Sequence, residues 1–148
     1  MNLDNFINNY KGTVVDWDNA YGAQCVDLAR AFINYVAQMY QPCAVESAYQ
    51  CFNRWADFKC FKKILKKVSA EQLRRGDLAI WNKTSTNPHG HIAIVMADKG
   101  DNLLIFEQNG FKQDGAKISS HTKSGLMGGL RVCNFENGIA TAFFAKEE

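Results

Sequence analysis

The sequence predicts an α+β fold in which N-terminal helices pack on an antiparallel β-sheet. Apolar residues recur at helical spacing across residues 24–40, in the first half of the chain. In the second half, two short apolar runs, 91–97 and 102–108, flank a segment rich in turn residues, as in an antiparallel hairpin. A chain of 148 residues with 47% hydrophobic content can bury the core of a single domain, predicted to span residues 1–148.

The helices are expected first along the chain. An amphipathic helix is predicted over residues 2–10, because its apolar residues fall on one side. The second helix, over 24–40, should end near Pro42, where proline interrupts the helical pattern. A third helix is predicted over 45–57, and residues 58–67 are expected to continue as helix or turn.

The strands are expected in the second half. Residues 69–72 have the sequence of a helix capping box, which predicts a short turn before the sheet. Residues 110–128, with several glycines and serines, are predicted to form a long polar loop at the rim of a cleft. The predicted strands are 77–82, 91–97, 102–108 and 129–135, with an edge strand over 140–144.

Charge and hydropathy argue against several classes of protein. The 17 basic and 15 acidic residues leave a net charge of +2, which is too even to predict a nucleic-acid partner. No apolar stretch reaches the roughly eighteen residues that a membrane-inserted helix needs. Residues 1–10 lack the basic start and apolar centre of a signal peptide, so synthesis in a cytoplasm is expected.

The five cysteines divide into one candidate nucleophile and four predicted core residues. An odd number argues against a disulfide framework. Cys43, Cys51 and Cys60 have neither the paired spacing nor the neighbouring histidine that a zinc site needs. Together with Cys133, in a late strand, they are predicted to be small buried apolar side chains. Cys25 differs, because it follows a turn and begins the second helix.

Cys25 occupies a position suited to an attacking thiolate. In the first turn of a helix, unpaired backbone N–H groups and the helix dipole favour the charged, nucleophilic form of cysteine. On this segment alone, core packing is the commoner role for a free cysteine on an apolar helix face. Two residues of the predicted hairpin favour the catalytic interpretation. His91 begins one strand and Glu107 ends the next, as a base and its orienting partner would.

Four short segments occur in an order typical of one known family. They are Tyr21-Gly-Ala-Gln-Cys-Val-Asp27, Gly76-Asp-Leu-Ala-Ile-Trp81, Gly90-His-Ile-Ala-Ile-Val95 and Phe106-Glu-Gln-Asn-Gly110. Over about residues 10–135 they resemble the CHAP domain, the cysteine, histidine-dependent amidohydrolase/peptidase of phage endolysins and bacterial wall hydrolases. The resemblance implies a papain-like CHAP fold with Cys25 as the nucleophile and His91 as the general base and then acid. It also implies that Glu107 orients His91 and that Asn109 lies beside it.

A second group of residues surrounds the candidate nucleophile. Asp16, Asp18, Ala20 and Gly22 occupy alternating positions before it, and Asp27 follows it. Alternating oxygen ligands are typical of calcium loops, although turn and helix-cap roles are the alternative. Some phage CHAP domains carry a calcium site at this place. The resemblance therefore favours a structural Ca²⁺ bound by the three aspartates and by the carbonyls of Ala20 and Gly22.

The resemblance implies a peptidoglycan hydrolase, and most simply a phage endolysin. The bond cleaved is either the N-acetylmuramoyl-L-alanine amide or an amide of the stem peptide or cross-bridge. The oxyanion would be met by the backbone N–H of Cys25 and, as a candidate, by the Gln24 side chain. Bacterial peptidoglycan would be the partner, with a holin for export or a separate wall-binding subunit as further partners. The alternatives are a toxin-like or virion-associated wall-hydrolysing effector, and a non-catalytic wall-binding module.

One basic cluster remains in the middle of the chain. Lys62, Lys63, Lys66 and Lys67 fall within six residues of one another. The favoured interpretation is the solvated face of a helix. Weak attraction to anionic wall polymers is the alternative.

Overall fold

Three α-helices precede a six-stranded antiparallel sheet, in agreement with the α+β prediction. The architecture is that of a computed structural model. It describes residues 2–17, 24–37, 45–57, 64–108, 114–133, 135–136 and 138–140. The helices are α1 (Leu3–Tyr10), α2 (Cys25–Ala37) and α3 (Cys51–Asp57), and a 3₁₀ turn, Ala48–Gln50, leads into α3.

The sheet has the strand order β1-β6-β2-β3-β4-β5, with every neighbouring pair antiparallel. A separate two-stranded ladder pairs β7 with β8. Among the described helices, none is long and apolar enough to cross a membrane. The strands are β1 (Leu65–Val68), β2 (Leu78–Trp81), β3 (His91–Asp98), β4 (Asn102–Glu107), β5 (Lys117–Thr122), β6 (Leu126–Val132), β7 (Phe135–Glu136) and β8 (Ile139–Ala140).

The two faces of the sheet carry different cores. Side chains alternate between faces along a strand, so Ile92 and Phe106 meet the helices, where Phe32 of α2 is fully buried among them. Burying a side chain of this size contributes about 1.5–3 kcal/mol to the free energy of folding. On the opposite face, a smaller apolar cluster includes Trp81 and Val95. We call the first the helix face and the second the open face.

Two sequence predictions about the sheet were wrong. The predicted loop 110–128 contains strand β5, Lys117–Thr122, whose burial alternates between half-buried and exposed residues. Its pattern has no apolar face, so it does not show the alternation that marks a strand. Residues 58–67 were predicted to be helix or turn, but the last part of this range belongs to strand β1. Lys66 and Lys67 are exposed between buried Leu65 and Val68. Residues 58–63 and 109–113 lie outside the described part of the chain.

Smaller differences concern caps and cysteines. The Ser69 side chain makes no capping hydrogen bond. A capping contact occurs instead at Ser47, whose N–H donates to Gln50 Oε1 at 3.1 Å. Cys51 is buried as predicted, but Cys133 is exposed because it follows the last residue of β6. Cys43, Cys60 and residues 141–144 lie outside the described residues.

Candidate active site

Cys25 is the first residue of α2, and its side chain is partly exposed. The preceding residue, Gln24, donates its backbone N–H to Asp27 Oδ2 at 2.8 Å. Such a contact, from a carboxylate three positions on, satisfies a donor that the helix itself leaves unpaired. The Asp27 side chain is buried at 4% exposure, so it fixes the start of α2 and with it the position of the Cys25 sulfur.

His91 and Glu107 meet across neighbouring strands. His91 begins β3, Glu107 ends β4, and their Nε2 and Oε1 atoms lie 2.7 Å apart. His91 also hydrogen-bonds to the Cys25 side chain. The structure thus brings the side chains of Cys25, His91 and Glu107 together, with Glu107 on the Nε2 side of the imidazole ring.

The turn into β3 depends on a glycine. Gly90 has φ of +68°, a left-handed conformation that favours glycine. A Cβ at this position would lie 2.4 Å from the Trp81 carbonyl oxygen and 2.9 Å from Tyr49 Cβ. The close approach of these neighbours fixes the point at which His91 enters the sheet.

The surroundings of His91 stabilise its protonated form. Burial by itself lowers the pKa of His91, because it penalises the charged imidazolium. Hydrogen bonds to Cys25 and Glu107, with the negative charges of both, outweigh burial and raise the pKa from 6.5 to about 9. His91 is therefore positively charged at neutral pH.

Glu107 stays ionised beside this cation. Burial raises the pKa of Glu107, but hydrogen bonds from His91 and Ser119 and the charges of His91 and His121 lower it below its ordinary value. Ser119 Oγ, on β5, donates to Glu107 Oε2. The carboxylate is thus held from two sides. The sequence analysis missed Ser119, because that residue fell in the predicted loop. The sequence of residues 117–122 has no apolar alternation that could have identified the strand.

Aromatic rings cover one side of His91. Trp81 is its cross-strand partner, with ring centroids 5.8 Å apart. The His121 ring lies 4.4 Å from Trp81, and 5.7 Å from His91 at an interplanar angle of 18°. Trp81 Nε1 and His121 Nδ1 both contact the Thr122 carbonyl oxygen, at 2.9 and 2.8 Å. This packing limits rotation of the His91 ring, and the sequence analysis assigned no site role to Trp81 or His121.

Gln108 links the end of β4 to the start of α2. Its side chain is fully buried. Oε1 accepts from the Val15 N–H at 2.7 Å, while Nε2 donates to the carbonyls of Val15 and Gln24 at 2.7 and 2.8 Å. One amide therefore joins the residues beside Asp16 and Cys25. The sequence analysis did not single out Gln108, although a polar residue two positions after buried Phe106 is an unusual choice for the helix face.

Part of the predicted calcium group lies within the described residues. Asp16 Oδ1 is buried and has no hydrogen-bond partner among them. An orphaned carboxylate oxygen of this kind suits a cation ligand. Asp27 Oδ2 already accepts from Gln24, and no cluster of three metal-ligating side chains occurs in the described ranges. The Gln24 residue is exposed next to Cys25. The predicted site residues outside the described part are Asp18, Ala20, Gly22 and Asn109.

Known proteins resemble this chain in sequence and in fold. The sequence profile of the CHAP domain matches residues 14–109. Endolysin PlyTW of Staphylococcus phage Twort (strain DSM 17442 / HER 48) is 28% identical over 136 residues, which is 83% of this chain and 28% of that protein. The crystal structure of Ly7917 with the hydrolyzing product of MDP gives a TM-score of 0.65 at 18% identity, covering 86% of this chain and 60% of that one. Wild-type endolysin LysIME-EF1 gives 0.59 at 20% identity, covering 86% and 61%.

Proposed function

Because the chain belongs to the CHAP domain family, we propose that it is a peptidoglycan hydrolase of the phage endolysin type, which cleaves amide bonds at the bacterial wall. The observation that carries the proposal is the grouping of Cys25 and Glu107 around His91, whose Nε2 lies 2.7 Å from Glu107 Oε1. A non-catalytic wall-binding module would have no use for it. The chain spans 28% of the length of PlyTW, so the activity of that whole protein supports this one by analogy only.

The proposed first step is attack by Cys25 on the substrate carbonyl. The sulfur forms a bond to the carbonyl carbon, and the resulting oxyanion is met by the Cys25 backbone N–H and the Gln24 side chain. His91 then gives its proton to the departing amine, which leaves an acyl-enzyme. Because His91 is held protonated at neutral pH, it carries the proton that this step needs before substrate arrives.

Water completes the proposed cycle. His91, now neutral, takes a proton from water, which attacks the thioester and releases the acid. Glu107 holds the imidazole ring and stabilises its charge through the 2.7 Å contact at Nε2. We assign Asn109 to the polar surroundings of His91, as the family resemblance implies.

Digestion of purified peptidoglycan, followed by mass spectrometry of the fragments, tests both the activity and the bond cleaved. New N-terminal alanine would identify cleavage of the N-acetylmuramoyl-L-alanine amide. New termini inside the stem peptide or cross-bridge would identify an endopeptidase. Peptidoglycan that stays intact would overturn the proposal. With active enzyme, coexpression with a holin would test the proposed export route.

Two cysteines of different exposure provide a matched comparison. Cys25→Ser should abolish cleavage, whereas Cys133→Ser should leave it unchanged, because Cys133 is exposed at the end of β6. Iodoacetamide at pH 7 should label Cys25 faster than Cys133, despite the lower exposure of Cys25, if His91 favours its thiolate. Faster labelling of Cys133 would argue against activation of Cys25 by His91.

We further propose a structural Ca²⁺ bound by Asp16, Asp18 and Asp27 with the Ala20 and Gly22 carbonyls. The orphaned Asp16 Oδ1 supports it. The ion would neutralise carboxylates that otherwise repel one another and hold the turn that precedes Cys25. EGTA should then lower both the melting temperature and the cleavage rate, and calcium should restore them better than magnesium. Asp18→Ala should reproduce the chelated state, whereas an EGTA-insensitive protein would show that these aspartates serve as turn and cap residues.

A further inference from the structure

A second concave surface lies at the edge of the sheet away from Cys25. It is a groove of about 560 Å³ between β1, the 70–74 segment and β6. Four cationic residues contribute to its lining, and the only acidic residue among the lining residues is Glu71. We call it the cationic groove. β1 is separated from β3 by β6 and β2, so the groove is not part of the candidate active site. Its cationic residues are Lys66, Lys67, Arg74 and Arg131.

Buried contacts hold the floor of the groove in place. Arg131 is 9% exposed at its side chain and donates from Nε and a terminal nitrogen to both Asp77 oxygens, each at 2.8 Å. The same terminal nitrogen donates to the Gln72 carbonyl at 2.9 Å. Asp77 also accepts from the Arg74 backbone N–H at 2.8 Å. The guanidinium and the 70–74 segment are therefore fixed relative to each other.

The strand pairing places another cation beside this guanidinium. Lys66 on β1 is the direct cross-strand partner of Arg131 on β6. Like charges in this arrangement are destabilising. Lys67 is also held, because Nζ lies 3.1 Å from Asn53 Oδ1 and 5.0 Å from the centre of the Phe52 ring. Asp77 offsets the charge of Arg131, and Glu71 offsets the charge of one further cation. The groove thus retains an excess of positive charge that an anionic ligand would relieve.

We propose that the cationic groove binds a phosphodiester polymer of the bacterial wall. This rests on the proposed function, since it takes the wall to be the place of action. Cations spread over two strands and a turn suit successive phosphates of a chain better than one compact anion, because adjacent strands are about 4.8 Å apart. Nucleic acid shares the phosphodiester chemistry, but the proposed place of action at the bacterial wall favours the wall polymer. Binding there would retain the enzyme near its substrate.

Binding of soluble poly(glycerol phosphate) to the full chain tests the groove. Each basic residue near an anionic surface contributes enough for Lys66→Gln/Arg74→Gln to weaken binding about thirtyfold at low salt. Raising NaCl from about 50 to 200 mM should weaken polymer binding by the unmodified protein. It should also reduce the difference in affinity between the unmodified protein and the double variant. The matched control is Lys11→Gln/Lys99→Gln, which removes the same charge from two other exposed lysines and should bind as the unmodified protein does.

The remaining outcomes separate the explanations. Equal weakening in both double variants would overturn the groove in favour of net charge alone. Equally tight binding of a single-stranded DNA of matched phosphate number would overturn the assignment to a wall polymer. Cleavage of peptidoglycan stripped of phosphate polymers is measured alongside with unmodified protein. Failure there would contradict the proposed function, while the polymer-binding comparison would still decide the groove.

Discussion

Two acid–base pairs lie on the open face of the sheet, at opposite ends of the β2–β3 ladder. Asp77 pairs with Arg131 at 2.8 Å, and Glu107 pairs with His91 at 2.7 Å. Asp77 immediately precedes β2, and the β2 residue that pairs with His91 is Trp81, at the far end of the strand. By distance alone the two pairs are nearly the same interaction.

The two pairs differ in the basic residue and in the additional group that this basic residue contacts. An arginine in a protein stays charged, and Arg131 also donates a hydrogen bond to the Gln72 carbonyl. A histidine, unlike an arginine, can release its proton to a neighbouring group, and the Cys25 side chain also acts on His91. The same contact therefore fixes structure at one end of the ladder. At the other end it prepares a proton for transfer, because one member can release it to a neighbour.

The largest effect on activity is expected at His91. His91→Ala should lower the cleavage rate by about three orders of magnitude, since both general acid and base are lost. Turnover of purified peptidoglycan measures this. His89→Ala is the matched control, because His89 is exposed and its Nδ1 contacts Ser47 rather than the cysteine. An indispensable His89 and dispensable His91 would overturn the assignment.

Breaking the other pair should affect stability instead. Asp77→Asn leaves the Arg131 charge buried without its counterion, which lowers the free energy of unfolding by about 3–5 kcal/mol. Denaturant titration measures the change. Asp98→Asn is the control, because its partner Lys123 is at the surface and the pair contributes little. At denaturant concentrations where Asp77→Asn is still folded, its cleavage rate should equal that of the unmodified protein. A lower rate in the folded variant would contradict the purely structural role of the Asp77–Arg131 pair.

The titratable pair should also make stability depend on pH. Because folding raises the pKa of His91 from 6.5 to about 9, its contribution is complete below pH 6.5 and is lost as pH rises through 9. The loss is on the order of 3 kcal/mol. Unfolding free energies measured across this range in unmodified protein and in His91→Ala isolate it. The variant should have the flatter profile, and parallel profiles would contradict the raised pKa.

A smaller effect is expected where the pair is kept but its charge is removed. Glu107→Gln can still hold the His91 ring but does not stabilise its positive charge, so the cleavage rate should fall about ten- to a hundredfold. Without the Glu107 charge the pKa of His91 is lower, so the cleavage rate of this variant should begin to fall at a lower pH than that of the unmodified protein. Ser119→Ala removes only one hydrogen bond to the carboxylate and should cost less. A larger loss in Ser119→Ala than in Glu107→Gln would make Ser119 the more important partner.

The sequence predicts the parts of the site that lie at the ends of strongly patterned elements. Cys25 begins an amphipathic helix, and His91 and Glu107 bound two apolar strands. Local periodicity therefore places these residues at the ends of elements, and the family resemblance assigns their roles. The sequence does not predict Ser119 and His121 as site residues, because β5 has no apolar alternation that would identify it as a strand. The Asp77–Arg131 pair spans 54 residues, and only the assembled sheet reveals such a contact. Gln108 is hidden for the same reason, because its partners lie 93 and 84 positions away.

The Gln108 amide has a mechanical consequence for alignment. It follows Glu107 in the chain and bonds to the carbonyl of Gln24, which precedes Cys25. Attacking and orienting groups are therefore tethered to each other through a single side chain. A displacement of the start of α2 would therefore also strain the end of β4, which carries the orienting carboxylate.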